Sequence, residues 1–157
     1  MSFDSKDRGF LKRAVDIAFE HMRSGEGRPF GAVLVLNGKP LAEGWNSVFA
    51  SKDPTAHAEL MAIRRACKVL GHGDLSGSVL YASGEPCPMC LGAMFLAGVS
   101  RCYYATTRQE ASRIGAQTEA IYAEYLKENP EERAIPCIHA PMAEASAAFD
   151  EWLAKAD

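Results

Sequence analysis

The stretch GEPCPMCLGAM, residues 84–94, sets Cys87 and Cys90 three apart with a proline in front of each. Residues i and i+3 share one face of a helix, close enough to grip a single ion. Pro88 suits a first helical turn, where its missing N–H has no intrahelical partner to lose. The partial positive charge and free N–H groups of a helix start favour thiolate over thiol. The segment therefore predicts a helix that opens on two thiolates. Two sulfurs do not complete a metal's shell, so the fold must carry a second segment to this helix end.

DPTAHAEL, residues 53–60, is that second segment. A helix is predicted from about Ala56 to Leu70, capped by Thr55 and stopped by Gly71. Its first-turn side chains tilt toward the N-terminus, so His57 and Glu59 can both reach a point beyond the helix end. His57, Cys87 and Cys90 are then the expected metal ligands, with Glu59 just outside the shell. A structural zinc needs a fourth protein ligand, whereas a catalytic zinc leaves that corner to water. Cys67 lies roughly 15 Å along the same helix from His57 and is too far to share the ion. Cys102 falls in an apolar strand and reads as a small hydrophobe. His72, Cys137 and His139 remain open by distance, but none has a neighbour at ligand spacing. The pattern favours a catalytic zinc over a structural one or a redox pair.

Elsewhere the order of patterns constrains the architecture. Residues 6–24 carry Phe10, Ala14, Ile17, Ala18 and His21 on one helical stripe. GAVLVLNGKPLAEGWN reads as a hairpin turning at Asn37-Gly38. SVLYAS is a third strand, CPMCLGAMFLAGV a helix and RCYYAT a fourth strand. TEAIYAEYLK reads as helix, RAIPCIHA as a short fifth strand and MAEASAAFDEWLAKA as a closing helix. The expectation is one α/β domain over residues 1–157, a three-layer αβα sandwich around a five-stranded mixed sheet.

Composition narrows the partners. Seventeen basic against 20 acidic residues give a net charge of −3. A nucleic-acid binder usually shows a basic excess, so a small-molecule substrate is expected. The five cysteines are odd in number and scattered, which does not suggest a disulfide framework. No stretch approaches 18 apolar residues and the start lacks a basic-then-apolar signal, so the expected setting is cytoplasmic with no membrane.

HAE at 57–59 with PCPMC at 86–90 matches the H-x-E…P-C-x-x-C pattern of zinc nucleobase deaminases, a pattern already stated for that class. Together with PFGAVLV, GWNS and DPTAHAELMAI, the chain resembles the cytidine and deoxycytidylate deaminase superfamily from about residue 10 to 108. RPFGAV, AIRRACKVLG and EPCPMCLGAM are most similar to bacterial guanine deaminases, and the tRNA adenosine deaminases are the nearest alternative. The resemblance implies a cytidine deaminase-like fold and a Zn2+ cofactor. It also implies hydrolytic deamination of a free purine base by zinc-activated water, most readily guanine to xanthine plus ammonia, with Glu59 as proton shuttle. Asn46 resembles the amide that bonds the base, Phe30 the residue packed on its face, and Ala58 a backbone donor. Glu144 matches a late glutamate used near the leaving amine. A homodimer is expected on the same ground. Two departures stand out: EWLAKAD lacks the aromatic that ends some members, and GAQTEAI has no aspartate to pair with guanine, leaving Gln117 or Glu119 in its place. Cytosine, a nucleoside, adenosine in tRNA or another amino-heterocycle therefore stays open, and a non-enzymatic zinc-binding module is the reading from another class.

Overall fold

The structure, a computed structural model, describes residues 3–155. Residues through Tyr122 form one compact unit and residues from Ala123 a second. In the first unit the elements run α1 (Ser5–Arg23), β1 (Gly31–Leu36), β2 (Lys39–Trp45), α2 (Val48–Ser51), α3 (Ala58–Leu70), β3 (Val79–Gly84), α4 (Pro88–Leu96), β4 (Arg101–Thr106), α5 (Arg108–Ser112) and α6 (Thr118–Tyr125), whose last turn enters the second unit.

The described sheet has four strands in the order β2-β1-β3-β4. β1 pairs antiparallel with both β2 and β3, and β3 pairs parallel with β4, so the sheet is mixed as expected. Asn37 and Gly38 turn the hairpin with φ of 52° and 72°, the double positive φ that two-residue hairpins require. Residues 31–35 of β1 are all buried. A strand covered on both faces reads as such an unbroken apolar run rather than as alternation. Val33 and Val35 turn toward Ala14 and Ile17 of α1. Ala32 and Leu34 turn toward Ala58, Ala62, Ala66, Cys90 and Met94 of α3 and α4. Helix, sheet and helix thus make the three predicted layers.

Two boundaries differ from expectation, and three short elements were not expected. α3 begins at Ala58, not Ala56, and its N-cap is His57 rather than Thr55. Asp53 is the cause: its carboxylate accepts from the Thr55 amide at 2.8 Å and hydroxyl at 2.7 Å, tying Thr55 into a turn. α4 ends at Leu96 rather than Val99, where Gly98 takes φ of 74°. α2, α5 and a 3-10 turn at Pro130–Glu132 are too short to leave a periodic signal.

The second unit holds the end of α6, that 3-10 turn and α7 (Ala143–Ala154). RAIPCIHA forms no strand, which corrects the five-stranded sheet to four. Pro136 removes a ladder donor from its centre. The Cys137 amide instead donates to the Pro130 carbonyl at 3.2 Å. Residue 156 of the expected closing helix lies outside the described residues.

Candidate active site

The topology explains why distant residues meet. β1 begins where its antiparallel neighbours β2 and β3 end, so Phe30, Asn46 and the segment leading to Cys87 share one edge of the sheet. The Asn46 amide donates to the Phe30 carbonyl at 2.9 Å across that edge. Gly44 lets α3 settle there. A Cβ at Gly44 would stand 2.1 Å from the Ala58 carbonyl oxygen and 2.5 Å from the Ala62 nitrogen.

Two helices then point their starts at one place. His57 is the N-cap of α3 and Cys87 the N-cap of α4, with Pro88 at the first helical position and Cys90 two further on. Nδ1 of His57, Sγ of Cys87 and Sγ of Cys90 form a triangle with every side 3.5 Å. Zn–S of about 2.3 Å and Zn–N of about 2.0–2.1 Å at tetrahedral angles require sides of about 3.5–3.8 Å. The donor set fits zinc in both chemistry and spacing. Among the described residues no other histidine, cysteine, aspartate or glutamate joins this group, so one corner of the tetrahedron is free of protein.

The electrostatics suit a cation. Hydrogen bonding with Cys90, opposed by burial and aided by His57, holds the Cys87 thiol down at about 4. The same contact with Cys87, reinforced by burial, pushes Cys90 up. Contact with the Cys87 sulfur raises His57, while burial and the Arg28 charge oppose it. A lowered Cys87 thiol favours the thiolate, the form that ligates a divalent cation. Glu59 is 7% exposed. Burial raises its carboxyl, although its own backbone N–H and His57 pull the other way.

A cavity of about 400 Å³ opens over this centre. That size lies toward the small end of ligand pockets, which span about 300–1,000 Å³. Its walls include His57, Glu59 and Cys87, and with them Phe30, Asn46 and Ala58. Oδ1 of Asn46 accepts from the Arg28 amide at 3.0 Å and the Val48 amide at 3.4 Å, which fixes the orientation of its amide group. Its Nδ2 is left as a donor. Gln117 also lines the cavity. Glu119 is engaged elsewhere, accepting from Nε of Arg108 at 2.7 Å. Glu144 belongs to the second unit, in the first turn of α7.

Sequence reasoning overlooked several walls. Arg28, Glu85 and Phe49 line the cavity. Arg28 and Glu85 are the first residues of the quoted motifs RPFG and EPCPMC, so their place in those motifs was the available signal. Phe49 had none, because α2 is a single turn. Cys102, read as a buried hydrophobe, is partly buried in β4, and burial pushes its thiol up to about 12.

Two helix starts converging on a His-Cys-Cys donor set, with a buried carboxyl beside a partly open pocket, fit a zinc-dependent hydrolytic deaminase. Comparison with known proteins agrees. The profile of the cytidine and deoxycytidylate deaminase zinc-binding region matches residues 4–106, and the chain belongs to that family. It is 48% identical to a guanine deaminase of Bacillus subtilis over 91% of each chain, and that protein's X-ray structure superposes with a TM-score of 0.88 over 92% of each. It is 40% identical to a tRNA-specific adenosine deaminase of the same organism, over 64% of this chain and 62% of that one. A guanine deaminase from Nitrosomonas europaea matches with a TM-score of 0.65 at 26% identity, covering 72% of this chain and 64% of the other. No helix among the described residues is long and apolar enough to cross a membrane.

Proposed function

We propose that this protein hydrolyses the exocyclic amine of a free purine base, converting guanine to xanthine and ammonia, with residues 1–157 working as one deaminase domain. The observation that carries the reading is a buried carboxyl, Glu59, set against the His57–Cys87–Cys90 triangle in a pocket sized for a small heterocycle. Likeness to the Bacillus guanine deaminase over nearly the whole length supports guanine as substrate.

Zinc held by His57, Cys87 and Cys90 supplies Lewis acidity that brings the pKa of a water into the neutral range. Glu59 takes one proton from water and delivers it to the ring nitrogen as the water oxygen bonds the adjacent carbon. It then moves the proton of the new hydroxyl to the amine as the C–N bond breaks and ammonia leaves. A carboxyl raised by burial suits that double duty, since a shuttle works best when its pKa nears the working pH. Phe30 packs on the base. Nδ2 of Asn46 donates to an acceptor on it, and the Ala58 N–H, free at the start of α3, adds a second donor. For Glu144 a role near the leaving amine is supported by the family resemblance alone. The working form is a homodimer in the cytoplasm.

Ammonia release from guanine, guanosine, adenine, cytosine, cytidine and ammeline tests this reading. Guanine should lead, and activity confined to cytosine compounds would reject it. The likeness to tRNA-specific adenosine deaminases supports a second reading with the same site and chemistry, adenosine in tRNA. The net charge of −3 weighs against it. Inosine formation in an anticodon stem-loop would establish it.

A further inference from the structure

The polar groups around the cavity are unequally free. Glu59 is committed to proton transfer. Glu85 accepts from the Arg108 amide at 2.9 Å and faces its guanidinium at 3.9 Å. What remains is rich in donors: Nδ2 of Asn46, the Ala58 N–H and the guanidinium of Arg28.

Arg28 is the strongest of these. A guanidinium offers five N–H donors in a planar fork. Here Nη1 donates to the Gly115 carbonyl at 3.3 Å, and among the described residues no ion pair engages Arg28. Its backbone is firmly set. The Arg28 amide donates to Oδ1 of Asn46 at 3.0 Å, and the Phe30 amide donates to the Arg28 carbonyl at 2.7 Å. Just before it, Glu26 accepts from Nε1 of Trp45 at 2.7 Å and from the Ser24 hydroxyl at 2.9 Å, and pairs with Nδ1 of His21 at 2.8 Å. The Trp45 ring lies between the stacked His21 ring and the Arg65 guanidinium, each 3.7 Å from its centre. The side chain therefore projects from an anchored turn into the pocket wall.

We propose that Arg28 is a specificity-determining residue: it reads a keto oxygen beside a ring nitrogen on the substrate, so that the pocket selects 6-oxopurines over purines without that oxygen. The inference rests on the nucleobase-deaminase reading above and adds the substrate class. An arginine fork matches the O6/N7 pair of guanine, the commonest specific contact arginine makes to a base. Arg28 is itself exposed, so a base without O6 forfeits the paired bonds to the fork rather than stranding a buried donor. In this chain the cation stands in a pocket whose 115–121 wall offers no aspartate to grip the opposite, donor edge of guanine.

The test uses the zinc-loaded full chain with guanine and 2-aminopurine, which share the reacting C2 amine and differ at position 6. Arg28→Ala should lower kcat/KM on guanine by about 10- to 100-fold. The loss on 2-aminopurine should be several times smaller, and Arg28→Lys should fall between. Intrinsic reactivity cancels in the variant-to-parent ratio. Equal losses on both bases would overturn the proposal, because losing the bond to Gly115 alone would give that result. So would no loss on either. Calorimetric binding of both bases to Glu59→Gln, with and without Arg28→Ala, separates this inference from the reaction assigned. If the parent enzyme releases no ammonia from guanine, the guanine reading fails. Arg28 would still be upheld by tighter binding of the oxo base that vanishes in Arg28→Ala. Equal binding of the two bases, or no binding of either, would sink it.

Discussion

Four well-defined helix starts in the first unit fall into two kinds. At α1, Asp4 accepts from the Lys6 amide at 2.7 Å and the Asp7 amide at 2.9 Å, while Asp7 accepts from the Asp4 amide at 2.9 Å. At α5, Thr107 and Glu110 close the same reciprocal box. At α3 and α4 the N-caps are His57 and Cys87, and neither side chain makes a capping hydrogen bond. A good N-cap is worth about 1 kcal/mol. Two helices therefore give up a routine stabilisation, and in return their cap side chains point past the helix end at a common point. Free N–H groups and the positive end of the helix dipole stay directed at the place where negative charge must be held.

The contrast can be broken by turning a ligand into a cap. Cys87→Ser installs a preferred capping residue and removes a thiolate. It should abolish zinc retention, measured by elemental analysis, and with it all detectable ammonia release, while the metal-free protein melts no lower than the metal-free parent. Retained zinc would show that Cys87 is not a ligand. A smaller effect comes from Glu59→Gln. Zinc stays stoichiometric while kcat falls by about 10²- to 10⁴-fold. Loss of zinc in that variant would place Glu59 in the coordination shell and overturn its assigned role.

Smaller again is Asn46→Ala, which removes a donor to the base and the acceptor of the Arg28 amide. About 10- to 100-fold in kcat/KM should be lost. Zinc content should hold, since Asn46 touches no ligand. At the ordinary kind of helix start, Asp4→Ala should cost about 1 kcal/mol, or about 2–4 °C in Tm, with kcat unchanged. A comparable loss of kcat would mean that α1 reports to the site, contrary to the division drawn here.

The smallest effect concerns pH. Arg13 holds the Glu43 carboxyl below its ordinary 4.5, and His21 with Ser24 does the same for Glu26. A carboxyl lowered on folding stabilises fully above its unfolded value, and that stabilisation fades as pH falls through the folded one. Tm should therefore be flat from neutrality to about pH 5 and decline below about 4.5. Glu43→Gln should flatten part of that decline. A decline that begins near pH 6.5 would implicate a histidine instead.

Legibility followed the range of the interactions. The α1 stripe, the Asn37-Gly38 turn, the Gly71 stop and the i, i+3 cysteines are set within a few residues, and each appears as read. The start of α3 was misjudged by two residues because Thr55 had a competing acceptor in Asp53 that propensity alone does not rank. RAIPCIHA has strand-like composition, yet Pro136 and the turn to Pro130 outweigh it. The second unit shows the same limit more broadly. Its closing helix was visible from composition, but Phe149, Trp152 and Leu153 are 73%, 74% and 65% exposed, so apolar type did not translate into burial.

By itself the sequence determined the chemistry: which donors exist, which pairs lie on one helical face, and which carboxyl stands beside a histidine. These follow from residue type and spacing, which the chain carries at every stage of folding. Only the tertiary structure decided that His57 and Cys87, thirty positions apart, meet at 3.5 Å, and that Arg28 reaches Gly115 across 87 positions of chain. Such distances depend on antiparallel register and on how closely α3 approaches Gly44, and these are set by packing between segments that no local pattern encodes.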